Sequence, residues 1–245
     1  MVQRFLELFR KQKLTETVLK RDDWLSKILN NNVFKLSYIE RDDNKYLVKT
    51  IDQLCKEYFN QQLFIFTKIR TDLIKKINLV EQIGFNLIDT NVVFKRCGKI
   101  KYRNHIKSKI NIRFADFSHK DSVGQIAYQN FIFSRFHLDP MIKNSLANKL
   151  KQKWVENYFL GKRGDQMVIA EYEKEPIGFL QLFEDGNNLI IDMIAVSNLH
   201  RGKNIGHSMI QFASEKLDCE KISVGTQISN VPSIKLYQNL GFKHF

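Results

Sequence analysis

The chain has 245 residues, 43% of them hydrophobic, with 19 Phe and a formal net charge of +13. That length admits one large domain or two small ones, and the apolar content excludes wholesale disorder. No run approaches the ~18 apolar residues of a membrane span, and three widely spaced cysteines without a C-x-x-C (Cys55, Cys97, Cys219) argue against a zinc site or disulfide framework and for reduced thiols in a cytoplasmic protein.

The N-terminus, MVQRFLELFRKQK, is basic and amphipathic and lacks the apolar core and cleavage site of a secretory signal. It reads as a surface helix, with a peripheral membrane contact as the alternative. LFIFTKI (63–69) reads as a strand, and INLVEQIGF (77–85) as the end of a helix closed by glycine. NLIDTNVVFKR then returns to extended chain. The segment 94–109, FKRCGKIKYRNHIKSK, holds seven Lys or Arg and reads as a solvated interdomain linker. A charge excess of this size attracts polyanions: nucleic acid, anionic lipid or phosphorylated small molecules. With Phe94 and Tyr102 as its only aromatics, the segment makes a poor nucleic-acid arm.

INIRFAD (110–116) is a predicted strand, and SHKDSVGQIAYQNF (118–131) a helix capped by Ser118. Ile142, Leu146, Leu150, Trp154 and Tyr158 recur every four residues, which predicts a helix over 141–161. MVIAEY and IGFLQLF are strands around the turn EKEP, and LIIDMIAV (189–196) is a buried strand after the turn signal Asp185-Gly186. A loop, a helix (206–217), a strand (221–226) and a helix (232–240) complete an α/β pattern with a largely antiparallel sheet.

The loop carries Arg201, Gly202, Lys203, Asn204, Ile205 and Gly206 between strand and helix. It is neither a Walker A loop nor the dinucleotide fingerprint. Unpaired N–H groups at a helix start make an anion site; Gly202 and Gly206 let backbone approach the anion, and Arg201 and Lys203 add charge. A second signal is a repeat: residues 77–85 and 234–242 share I-x-L-x-x-x-[IL]-G-F, each after a strand-like run. Tyr237 in the second copy aligns with Val80 in the first. The first copy continues into a strand, whereas the second meets the end of the chain at Phe245. Either the chain is cut there, or another segment or subunit fills that sheet edge.

AVSNLHRGKNIG resembles the pyrophosphate loop of the GNAT superfamily of acetyltransferases, with Asn204 where Gly is usual, and NVPSIKLYQNLGF resembles that superfamily's second motif. Upstream, FSRFHLDP (133–140), KWVENYFLGKRGD (153–165) and GFNLIDTNVVF (84–94) are similar to the dTDP-fucosamine N-acetyltransferase group, whose enzymes acetylate a nucleotide-linked 4-amino-4,6-dideoxy sugar. The resemblance implies a GNAT fold: a mostly antiparallel sheet splayed at an acetyl-CoA cleft in residues 106–245, preceded by a degenerate GNAT-like half in residues 1–105. By the same resemblance, backbone around Ile194, Ala195 and Val196 holds pantetheine, residues 201–206 hold the pyrophosphate, and Asn230 bonds the pantetheine arm.

Tyr237 is the candidate general acid, since a phenol (pKa ~10) can protonate a leaving thiolate (thiol pKa ~8.5). Asp192, alone in an apolar strand, is the candidate base or a structural ion-pair partner; His137 and Glu171 are alternatives, and an amine of lowered pKa needs no base. Arg135 and His137 are candidates for holding the acceptor, while Phe131, Phe133, Phe136 and Trp154 read as core. Acetyl-CoA and a nucleotide sugar are the expected partners, without metal or nucleic acid; a homodimer is compatible. Two alternatives stay open: an acetyltransferase of a protein, peptide or RNA amine, and a non-enzymatic acyl-CoA sensor, against which Tyr237 argues.

Overall fold

The computed structural model describes residues 18–37, 44–100 and 109–245. The basic N-terminal segment and residues 101–108 of the cationic stretch lie outside the described residues. The described chain divides into two compact units, one ending at Ile88 and the other spanning Asp89–Phe245. The sequence places the boundary at 105/106, and the difference comes from one strand, taken up below.

The first unit runs β1 (Val18–Arg21), α1 (Asp23–Leu29), β2 (Asn32–Ser37), α2 (Asn44–Glu57), β3 (Leu63–Thr67) and α3 (Ile74–Gln82). Its three-stranded sheet has the order β1-β2-β3, with β1 antiparallel and β3 parallel to β2. The Asp22 side chain caps α1 by accepting from the Leu25 amide at 2.9 Å. Leu36, Leu47, Ile51 and Val80 form the buried centre. A side chain of this kind contributes ~1.5–3 kcal/mol when fully buried.

The second unit runs β4 (Asn91–Cys97), β5 (Ile110–Phe114), α4 (Lys120–Asn130), α5 (Arg135–Leu138), α6 (Asn144–Phe159), β6 (Gln166–Tyr172), β7 (Glu175–Asp185), β8 (Asn188–Val196), α7 (Ile205–Lys216), β9 (Lys221–Gln227), α8 (Val231–Asn239) and β10 (Lys243–His244). Its seven strands lie in the order β10-β4-β9-β8-β7-β6-β5. Every neighbouring pair is antiparallel except β8–β9. Alternation along the strands serves two cores. Val168, Leu180, Leu189 and Ile191 pack with Ile205, Met209 and Tyr237 of α7 and α8. Met167, Ile169, Phe179 and Met193 pack with Val123, Ala127 and Val155 of α4 and α6.

Two local expectations change. The cap before α4 is Asp116 rather than Ser118: its side chain accepts from the Ser118 amide at 3.0 Å while its own amide donates to the His119 ring at 3.1 Å. This capping box starts a short 3-10 turn that feeds α4. Where the strand reading of NLIDTNVVFKR and the linker reading of 94–109 overlap, the strand holds: Phe94–Cys97 complete β4, which pairs with β9 from Asn91↔Gln227 to Cys97↔Lys221.

The repeat acquires a physical cause. In each copy a helix ends with two matched bonds: Gly84 to the Glu81 carbonyl and Phe85 to the Val80 carbonyl (3.0 Å each), and Gly241 to Gln238 (2.8 Å) and Phe242 to Tyr237 (3.0 Å). This is the Schellman geometry, which requires left-handed backbone at the glycine, here φ +98° and +77°. After the first glycine the chain becomes β4, the strand that fills the place beside β9; the second copy adds only two-residue β10, on the far side of β4. A segment of the same chain, β4, therefore occupies the place beside β9.

The two glycines differ in surroundings. A Cβ on Gly84 would meet open space, whereas one on Gly241 would collide with the Arg96 guanidinium. Gly84→Ala is expected to cost about 1–3 kcal/mol from backbone strain alone, and Gly241→Ala more; urea denaturation of the two variants checks the order.

Candidate functional site

The parallel ladder between β8 and β9 runs from Asn188↔Lys221 to Ile191↔Val224 and stops, although both strands continue. A β-bulge accounts for the separation. Gln181 opposes Met193 and Leu182 opposes Ile191, so Asp192 is the extra residue of β8, and a bulge bends and twists its strand. Beyond it, the facing backbone edges of 192–196 and 225–227 are free of the ladder, and their polar groups need other partners.

Asp192 is thereby fixed in place. Arg163 donates to both its oxygens (Nε to Oδ2 2.8 Å, Nη2 to Oδ1 2.6 Å), and Gln181 Nε2 donates to Oδ2 at 3.0 Å. The Arg163 and Asp192 side chains are only 13% and 11% exposed. The Arg163 guanidinium lies 4.5 Å from the Trp154 ring centroid, and the Lys151 ammonium lies 4.7 Å from the same ring and 4.9 Å from that of Phe131. Sequence reasoning missed Arg163 and Lys151. A lone aspartate in an apolar strand signals that a cation must exist, but spacing does not select one from 39 Lys and Arg.

Ser197 to Asn204 carry β8 into α7. Asn204 takes left-handed backbone, φ +59°, and its side chain makes no capping bond, so α7's first amides are left without that partner. Gly202 has φ +75° and nothing within 4 Å of where a Cβ would sit, so an anion meets no side chain there. Gly206 serves packing instead: a Cβ would lie 3.4 Å from Leu236 and 3.6 Å from Ile194. Arg201 staples the loop, its Nε donating to the Val196 carbonyl (3.1 Å) and its Nη2 to the Asn130 carbonyl (3.1 Å) and side-chain oxygen (3.2 Å). Lys203 donates to the Leu199 carbonyl at 3.2 Å. Both side chains engage protein carbonyls while leaving positive charge at the loop.

Tyr237 is 2% exposed and sits in the last turn of α8. Its ring lies 6.2 Å from that of Phe94 and 5.7 Å from that of Phe242. Burial pushes the phenol pKa well above its usual range, so it stays protonated at neutral pH. Asn230 caps α8: its Oδ1 accepts from the Ser233 amide at 3.3 Å and its Nδ2 donates to Thr226 Oγ1 at 3.2 Å. One amide hydrogen is left over.

The remaining candidates are less available. His137 bridges α5 and α6, with Nδ1 2.6 Å from Ser134 Oγ and Nε2 2.9 Å from Asn148 Oδ1; burial lowers its pKa, and a nearby Lys151 charge adds to this. Glu171 is gripped by Arg113 at 2.8 and 2.9 Å, and those bonds hold its carboxyl below the usual range. Both are fastened parts of the scaffold. The Arg135 guanidinium lies 4.6 Å over the Phe136 ring, and Phe136 packs edge-on against Trp154 at 5.7 Å. No group of His, Cys, Asp and Glu among the described residues is arranged to hold a metal, and no helix among them is long and apolar enough to cross a membrane.

Residues 132–242 match the model of the acetyltransferase (GNAT) family. The chain is 23% identical, over 97% of its length and 83% of the relative's, to spore coat polysaccharide biosynthesis protein SpsD of Bacillus subtilis (strain 168). A stretch covering 30% of the chain is 38% identical to 44% of a streptothricin acetyltransferase from Escherichia coli. A GCN5-related N-acetyltransferase from Sphaerobacter thermophilus superposes on the whole chain and 82% of its own, with a TM-score of 0.64 at 11% identity.

Removing one partner of a buried ion pair leaves the other unpaired. Arg163→Met is expected to lower stability by about 3 kcal/mol, and adding Asp192→Leu to recover part of the loss; chemical denaturation of the single and double variants measures both.

Proposed function

We propose that this chain, whose fold is that of the GNAT acetyltransferases, is an acyltransferase that moves the acetyl group of acetyl-CoA to the primary amine of a nucleotide-linked 4-amino-4,6-dideoxyhexose. The observation that carries the cofactor half of this reading is the end of the β8–β9 ladder at Ile191↔Val224, close to the start of α7, whose first amides no side chain of Asn204 caps.

The coenzyme diphosphate docks on those amides at the open backbone of Gly202, with Arg201, Lys203, Asn204 and Ile205 around it. The pantetheine amides take the vacant ladder positions along Ile194, Ala195 and Val196, as an added strand would. Asn230 offers its remaining hydrogen to the pantetheine arm. Backbone N–H groups of β8 face the carbonyl oxygen and stabilise it as the oxyanion forms.

In the reaction the neutral amine attacks the thioester carbon, and the C–S bond breaks as the tetrahedral intermediate collapses. The sulfur takes the Tyr237 proton, the nitrogen gives its excess proton to water, and the phenolate, made more basic by burial, is reprotonated by water admitted as the products leave. Asp192 is assigned to anchoring the bulge rather than to base catalysis, because Arg163 and Gln181 hold both its oxygens. Glu171 and His137 are excluded as bases by the bonds that fasten them. The amine therefore enters through its neutral fraction.

The acceptor half rests on chemistry and on one relative. Lys151 and Arg163 cover the Trp154 and Phe131 rings and are themselves largely buried, and half-buried Arg135 lies over Phe136. Their summed positive potential, rather than free ring faces, is what suits a sugar carrying a diphosphate. SpsD is named for polysaccharide biosynthesis. The +13 charge also fits an RNA acceptor, and the acceptor screen separates the two readings. The N-terminal unit, whose β3–α3–Gly84-Phe85 succession repeats β9–α8–Gly241-Phe242, is assigned as a reduced copy of the same design that lacks the phenol.

Thiol release from acetyl-CoA is to be followed with dTDP-4-amino-4,6-dideoxy sugars, peptides and tRNA side by side. Turnover confined to the nucleotide sugars is expected; turnover confined to peptide or tRNA overturns the acceptor assignment. With the active acceptor, Tyr237→Phe is expected to lower kcat ~10²-fold while coenzyme A binding by calorimetry is retained. Near-wild-type kcat removes the general acid.

A further inference from the structure

We propose that Phe94 and Arg96 of β4 are positioning residues for the Tyr237 phenol, setting its place relative to the thioester through the last turn of α8. The inference rests on the assignment of Tyr237 as proton donor, and it gives the strand inserted beside β9 a role in the reaction.

Phe94 and Arg96 are two residues apart, so they face the same side of β4, and both reach α8. Phe94 is 4% exposed, with its ring 6.2 Å from Tyr237 at 40° and edge-on to His244 at 5.8 Å. The Arg96 Nη1 donates to the Leu240 carbonyl, one of the oxygens a helix end leaves without an internal partner. A cation there also opposes the negative end of the helix dipole. The Leu240 amide bonds back to the Tyr237 carbonyl at 3.1 Å. Arg96 therefore holds the turn from its end while Phe94 supports the phenol ring from the side.

The support is itself fixed. β4 pairs with β9 over seven residues, and β9 is the strand that diverges from β8 to open the cleft. On its other edge β4 carries β10. One strand thus holds both a wall of the cleft and the helix that brings the phenol to it. A donor displaced by about 1 Å loses up to ~10²-fold in rate without loss of binding, so the contact bears on kcat.

The test labels tyrosine with carbon-13 at Cζ and assigns the Tyr237 resonance by its disappearance in Tyr237→Phe. Phe94→Leu, which keeps most of the buried volume, and Arg96→Gln are each expected to shift that resonance and leave those of tyrosines in the N-terminal unit unmoved. An unmoved Tyr237 resonance in both variants overturns the proposal, whatever the kinetics. In the thiol-release assay Phe94→Leu is expected to lower kcat about tenfold with the KM for acetyl-CoA unchanged. Added to Tyr237→Phe, it is expected to lower kcat no further. Equal losses in both backgrounds would mean that Phe94 does not act through the phenol. Full activity of Tyr237→Phe defeats the general-acid assignment separately, and the resonance then decides whether Phe94 and Arg96 place the ring.

Discussion

One extra residue in β8 governs the second unit. Asp192 has no counterpart on β7, and the strand leaves β9 immediately after. Without that divergence the seven-stranded sheet would be continuous, and the backbone of Ile194–Val196 would be consumed by its neighbours. The carboxylate at the bulge is held in position by the bidentate Arg163 bond and the Gln181 amide. Desolvating that pair costs free energy, which the three hydrogen bonds to Asp192 and two aromatic neighbours of Arg163 offset in part. A group that in isolation looks like a base is thus part of the frame around the opening.

Charge is allocated in the same manner elsewhere. Arg113 with Glu171, and Arg201 with the Val196 and Asn130 carbonyls, spend their donors on fastening strand ends and loops. Fastened arginines still contribute positive potential around the loop before α7, even though its side chains point to protein oxygens. Rigidity and attraction come from the same residues.

Features with a local cause were legible in the sequence. The glycine-closed helix ends, the left-handed Asn204 and the antiparallel hairpins each follow from backbone preferences that a few consecutive residues express. Glycine patterns alone did not separate two uses: Gly202 leaves open space, whereas Gly206 admits Leu236 and Ile194. Features fixed by distant pairing were hidden. Phe94–Arg96 read both as the end of a strand and as the start of a cationic linker, because nothing local says that β9, far along the chain, is the partner. Asp116 takes the capping role from Ser118 because its carboxylate, two residues past the end of β5, accepts from the Ser118 amide. The Arg163–Asp192 bond falls in the same class, being decided by how α6 returns to the sheet.

The pairing of β4 with β9 also bears on how the chain acquires its shape. The partners are more than 120 residues apart, so β4 leaves the ribosome on the order of 10 s before β9 exists. During that interval its hydrogen-bonding edges are exposed, which is a risk for association with other nascent strands. Lys95 and Arg96, which follow the apolar run Val92–Phe94 in this strand, are the kind of charged residue that disfavours such association. The β4–β9 ladder can therefore close only after most of the second unit has been synthesised.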